Sequence, residues 1–215
     1  MPAVYPTPAH QQRAPAPPQR QPVGAEWTGL ARQLHRRITK AYPDAEAHRE
    51  ALIAPFRPRP GFQPIPKHTH LKRLANKLRA PSLCRLRAVA RFEPGELRVV
   101  EVWSIPARLE HETWTEDEPA LALLLRAVTI NPPAFAESNV RFAGIGLHAL
   151  SRRYQRGAPR TDRAVLADLL ALARGYPAAV AAGGEFAIPA AAGCWIGAVA
   201  PGAAVAIVRT FVGND

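Results

Sequence analysis

His148, Arg152 and Arg156 stand four residues apart, and on an α-helix that spacing stacks three side chains along one stripe. Gln155 and Arg153 lie at its edge, while Leu147, Leu150, Ser151 and Tyr154 fall on the side expected to face a core. An imidazole exchanges a proton near neutral pH, and a guanidinium holds two phosphate oxygens through parallel hydrogen bonds. The combination suits phosphodiester chemistry. In RNA the 2′-hydroxyl is an internal nucleophile, so cleavage needs a proton acceptor, a proton donor and charge stabilisation, and no metal. The same residues would serve a nucleic-acid-binding helix without chemistry, or a plain solvated face.

Positioning such a stripe requires a helix with defined ends. NVRFAGIG, from residue 139, reads as a strand, with Gly144 and Gly146 allowing a tight turn into LHALSRRYQR and Gly157 standing where a helix C-cap glycine belongs. Thr161 is placed to cap a second helix over TDRAVLADLLALARG, whose Val165, Leu166, Leu169, Leu170 and Leu172 supply its buried side. Beyond Gly175, the segments EFAIPA, GCWIGAVA and AVAIVRTFV read as three short antiparallel strands. Residues 139–215 are thus expected to form an α+β unit, a helix pair packed on a small antiparallel sheet.

HALSRRYQRG at 148–157 resembles the His-Ala-x-x-Arg-x-x-x-Arg-Gly helix of small toxin-like domains in the barnase, EndoU, colicin and RelE superfamily, and VRTF at 208–211 resembles their last strand. The resemblance implies a metal-independent ribonuclease of bacterial toxin type, without a cofactor. In it His148 is the general acid or base, Arg152 and Arg156 are phosphate ligands, and Thr210 with Arg209 contacts substrate. RNA is the implied substrate, and an acidic antitoxin or immunity protein the implied partner. The likeness covers about 75 of the 215 residues. It departs from the family pattern by an extra helix of some 14 residues between the motif helix and the sheet.

The preceding region, 26–138, reads as basic helices and a β-hairpin behind a proline-rich arm at 1–25 that is expected to be disordered. EWTGLARQLHRRITKA aligns Leu30, Leu34 and Ile38 on one face, with Arg32, Arg36, Arg37 and Lys40 elsewhere. Pro43 is expected to end that helix and Asp44 to cap another running to Pro55. After the proline-rich linker at 56–66, KHTHLKRLANKLRA sets Leu71, Leu74, Ala75 and Leu78 against Lys72, Arg73 and their basic neighbours. Residues 83–92 and 97–105 alternate as a hairpin around EPGE; LEHETWTEDEP then reads as a solvated acidic loop and ALALLLRAV as a short apolar segment. Arg36, Lys72, Arg73, Arg153 and Gln155 are assigned to substrate binding.

Twenty-eight Lys plus Arg against 17 Asp plus Glu give a net charge of +11 and a sequence pI near 10.7. That surplus favours a polyanionic partner, with the compositional bias of a GC-rich genome as the bland alternative. Cys84 and Cys194 lack zinc-site spacing; His68 with His70, and His111 among glutamates, read as solvent-facing residues rather than metal ligands. The first residues hold no apolar signal-peptide run, and the uncharged 186–208 run is too rich in Ala, Gly and Pro for a membrane span. A cytoplasmic protein is expected, with delivery into a target cell as a variant. Two other functions fit the sequence: a non-catalytic nucleic-acid-binding accessory protein, and an interaction protein of a phage or secretion system.

Overall fold

Apolar side chains at Ala31, Leu34 and Ile38 recur at helical spacing, and the same face continues through Tyr42, Ala45, Arg49 and Ile53. They form a single helix, α1 (Ala25–Ile53), in the computed structural model, which describes residues 24–61, 66–93, 95–111, 114–199 and 205–214, and their side chains apart from 108–118. The expected break at Pro43 does not occur. Proline in a helix interior costs about 3 kcal/mol, and burial of the same face on both sides of Pro43 outweighs that cost. The proline-rich arm up to residue 23 and positions 62–65 of the linker lie outside the described residues, as does Pro94 of the hairpin turn.

After a 3-10 turn at Ala54–Phe56 and α2 (His68–Arg79), the chain makes an antiparallel meander. Its strands are β1 (Arg85–Glu93), β2 (Glu96–His111), β3 (Trp114–Asn131) and β4 (Ala134–Gly146). Two helices follow, α3 (Leu147–Arg156) and α4 (Asp162–Ala182), and then a second meander of β5 (Gly184–Ala190), β6 (Gly193–Val199) and β7 (Ala206–Gly213). β7 pairs parallel with β4, so both meanders join in one seven-stranded mixed sheet, ordered β1-β2-β3-β4-β7-β6-β5.

This corrects the expected architecture of a small antiparallel sheet behind a C-terminal helix pair. Prolines account for much of the difference. Pro106 and Pro119 have the character of strand ends, yet Pro106 pairs with Leu121 and Pro119 with Arg108 inside the long β2–β3 ladder. ALALLLRAV is the centre of β3, and the backbone on both sides of the acidic segment is strand; its side chains lie outside the described residues. β4 runs through the expected boundary at residues 138–139. α4 continues past Gly175 and through Pro177 to Ala182.

α1 and α2 cover the face of β2 and β3 that carries Val99, Glu101 and Trp103, whereas α4 packs on the opposite face, which carries Trp195, and touches both edge strands, β1 and β5. On the α4 side of the first meander, Val89 lies opposite Val100, and Leu125 opposite Val140, all exposed. Among the described residues, α4 alone has the length and composition to cross a membrane. Here it packs on β5 and α3, with Asp168 buried.

Two apolar clusters form the core. The larger joins Leu34, Ile38, Trp103, Leu124, Trp195 and Phe211; the smaller joins Ile53, Leu71, Leu74, Leu78, Leu97, Val99, Val128 and Ile130. Between them, each contributing element changes to charge, at Arg49 on α1, Glu101 on β2 and Arg126 on β3. Arg49 Nε donates to Glu101 Oε2 at 2.6 Å and its Nη1 to Glu137 Oε1 at 2.6 Å; Arg85 Nη1 reaches Glu101 Oε1 at 3.3 Å. Arg126 binds Glu46, and its guanidinium lies 4.8 Å over the Trp103 ring. Burial alone would raise the Glu137 pKa, but hydrogen bonds from Arg49 and Arg57 outweigh it and leave the carboxyl below its ordinary value.

Candidate nucleic-acid interface

α3 begins where the sequence predicts, and Leu147, Leu150, Ser151 and Tyr154 are buried as expected. Its other side is not a surface stripe. α3 packs against both α1 and β7, so His148 is half-buried, Arg152 is only 4% exposed, and of the three only Arg156 is open to solvent. Arg152 Nη1 donates to Gln155 Oε1 at 2.8 Å. Burial first, and then the charge of Arg156, lower the Arg152 pKa from its ordinary value. Arg156 Nη1 reaches the Phe211 carbonyl at 3.4 Å, holding the end of α3 to β7.

Arg153, assigned to substrate binding from the sequence, is a structural residue. It is 1% exposed, its Nε is ion-paired with the buried Asp168 of α4, and its guanidinium lies 5.4 Å over the Phe211 ring. Asp168 Oδ1 also accepts from the Ala191 amide at 3.1 Å, and its carbonyl accepts from Trp195 Nε1 at 2.9 Å. One ion pair therefore ties α3, α4 and the second meander together, and Arg153 is already occupied.

Thr210 does not join His148. Phe211 pairs with Trp195 on the face that α3 and α4 cover, whereas Thr210 pairs with Ile196; neighbouring strand residues alternate faces, so Thr210 points to the far side of the sheet. Arg209 is exposed, and its Nη1 donates to Glu185 Oε1 at 3.0 Å. Of the expected active-site set, His148, Arg152 and Arg156 thus share a helix, and Thr210 and Arg209 stand elsewhere.

The remaining assignments are on the surface. Arg36 is exposed on α1 beside Arg32 and Lys40. Lys72 and Arg73 are exposed on α2, opposite the buried Leu71, Leu74, Ala75 and Leu78. α2 is amphipathic because these four leucine and alanine positions recur at helical spacing, and they seat it on β1 and β2. Arg79 secures the seat by donating from Nη2 to the Ala90 carbonyl at 2.8 Å.

A further signal surrounds α2 in the sequence. From Ala51 to Phe92 the 42 residues include no Asp or Glu but ten of the 28 Lys and Arg. Arg85 is drawn into the interior ion pair with Glu101, and the partly exposed Arg57 pairs with Glu50 and Glu137. By contrast, Lys72, Arg73, Lys77, Arg87 and Arg91 are exposed and make no ion pair among the described residues. Counting carboxylates along the chain, rather than searching for a histidine, would have found Lys77, Arg87 and Arg91 as well as the two α2 residues read from the sequence.

No His, Cys, Asp and Glu cluster able to hold a metal occurs among the described residues. Burial pushes the Cys84 thiol up to about 11, so it stays protonated. No family model matches the chain, and no curated protein or solved structure is found similar to it.

Proposed function

We propose that this protein binds nucleic acid, and that the exposed side of α2 is the contact surface. The observation that carries the reading is the set Lys72, Arg73 and Lys77 on α2, which makes no ion pair among the described residues and lies in a 42-residue stretch without a carboxylate. Phosphate contacts by lysine and arginine release condensed counterions, so affinity falls steeply with salt. A labelled duplex titrated with the full chain across a salt series tests it. The Lys72→Ala, Arg73→Ala, Lys77→Ala triple variant should bind more weakly, and its logarithmic salt slope should be shallower by about 0.9 for each phosphate no longer neutralised. An unchanged affinity and slope would sink the proposal.

A second reading keeps RNA cleavage. It is favoured by the Arg152–Arg156 electrostatic coupling beside half-buried His148 on one helix, with an acidic antitoxin or immunity protein as its partner. Here His148→Ala should abolish formation of 2′,3′-cyclic phosphate ends while leaving the fold intact. Cleavage at an unchanged rate would remove His148 from the chemistry.

A further inference from the structure

Resting on the nucleic-acid reading, we infer that α2 is a base-reading helix for the major groove of duplex DNA. Thr69, Arg73 and Asn76 face the edges of the bases, and Lys72 and Lys77 hold the two phosphate walls.

The geometry follows from the buried face. With Leu71, Leu74, Ala75 and Leu78 against the sheet, a rotation of about 100° per residue puts Thr69, Arg73 and Asn76 on the opposite stripe, where all three are exposed. The same rotation sets Lys72 and Lys77 about 70° to either side of that stripe. A central row able to hydrogen-bond, flanked on both sides by ammonium groups, is the pattern that a groove with charged walls demands. A helix serving only as a solvated face has no need of that order.

The residue types match the groove. Arginine reaches guanine O6 and N7 as a bidentate donor, asparagine pairs with adenine N6 and N7, and threonine offers a methyl to thymine. Asn76 is otherwise unexplained, since asparagine is a poor residue for a helix interior and it neither caps α2 nor packs in the core. From Thr69 to Asn76 the helix rises about 10.5 Å, the length of roughly three base-pair steps.

The major groove of B-form DNA, about 12 Å wide, admits an α-helix. The major groove of A-form RNA is too deep and narrow for side chains to read. Single strands are held by stacking on aromatic side chains, and the Thr69–Arg73–Asn76 stripe contains none. Of the two imidazoles in the first turn of α2, His68 stands edge-on to Phe92 with centroids 5.7 Å apart, and His70 lies about 90° around the helix from the stripe.

The test is selection of the full chain on a random duplex DNA library, followed by anisotropy titrations of the selected site and a scrambled duplex. A short preferred site is expected, with guanine and adenine about one helical turn of protein apart. Arg73→Lys and Asn76→Ala should each cut the preference for that site by roughly 5- to 150-fold, and Asn76→Ala, which changes no charge, should leave binding to the scrambled duplex nearly unchanged. Lys72→Ala or Lys77→Ala should instead weaken both duplexes equally. Binding without sequence preference, preference that survives both Arg73→Lys and Asn76→Ala, or binding to RNA alone would overturn the inference and leave nucleic-acid binding standing. No binding to any nucleic acid would overturn both.

Discussion

The two ends of this molecule use arginine in opposite ways. Around α3 and α4, Arg153 is sealed inside against Asp168, and Arg152 is nearly as buried. Around α2 and β1, Arg73, Arg87 and Arg91 stand in solvent with no carboxylate within their own stretch of sequence. What separates them is the supply of acids. A guanidinium is carried into the interior only where the topology brings a carboxylate to meet it, because an unpaired buried charge is prohibitively costly. Where no carboxylate is within reach, the charge must stay outside, and it is there that a polyanion can find it.

Removing the carboxylate is the strongest way to break this contrast. Glu101→Ala leaves Arg49 and Arg85 buried with their shared partner gone, and stability should fall by about 3–5 kcal/mol. Urea denaturation followed by circular dichroism reads it, and a loss under about 1 kcal/mol, the scale of an ordinary substitution, would show that the polar band between the two cores contributes little. The α3 helix allows a sharper version. Arg153→Ala should cost about 3 kcal/mol and Arg156→Ala, three residues on, no more than about 0.5 kcal/mol. Equal losses would mean that the distinction between buried and exposed arginine has no energetic content.

Smaller effects come from groups on the boundary. His35 of α1 has its Nε2 buried without a partner; burial lowers its pKa from 6.5, and a backbone hydrogen bond with Ala120 offsets only part of this. Its folded pKa lies below the unfolded value, so the neutral form is favoured by folding. That contribution is complete above pH 6.5 and is lost as pH falls from there through the folded pKa. His35→Gln should flatten the stability profile below pH 6.5. An unchanged acid slope would assign the loss to carboxylates such as Glu137. Smallest of all, Lys72→Ala, Arg73→Ala and Lys77→Ala should each alter stability by less than about 0.5 kcal/mol, because none makes an ion pair among the described residues.

Local structure was legible wherever one face of an element carried the signal. α2, α3, the hairpin and the three C-terminal strands follow from the spacing of their apolar residues. The joining of the two meanders was not legible, because parallel pairing of β4 with β7 is a long-range contact that neither strand announces. Pro43, Pro106, Pro119 and Pro177 each mimic a boundary, yet Pro43 and Pro177 lie inside helices that bury residues on both sides of them, and Pro106 and Pro119 are carried within the β2–β3 ladder. The expected site failed for a related reason. Helical spacing places His148, Arg152 and Arg156 in a row but cannot reveal that α1 and β7 close over it, nor that strand alternation turns Thr210 away.

The seam between the meanders consists, among the described residues, of three parallel pairs: Ala143 with Ala206, Gly144 with Ile207, and Ile145 with Val208. Each meander is closed by short hairpins, whereas the seam waits for the chain to return after the 59 residues between Gly146 and Ala206. Loop closure of that length is slow relative to hairpin formation. The two halves are therefore expected to form before the seam between them closes. In hydrogen exchange, amides along the seam should open at lower free energy than those of the β2–β3 ladder, which makes the centre of the sheet, rather than an edge, the place where this protein first comes apart.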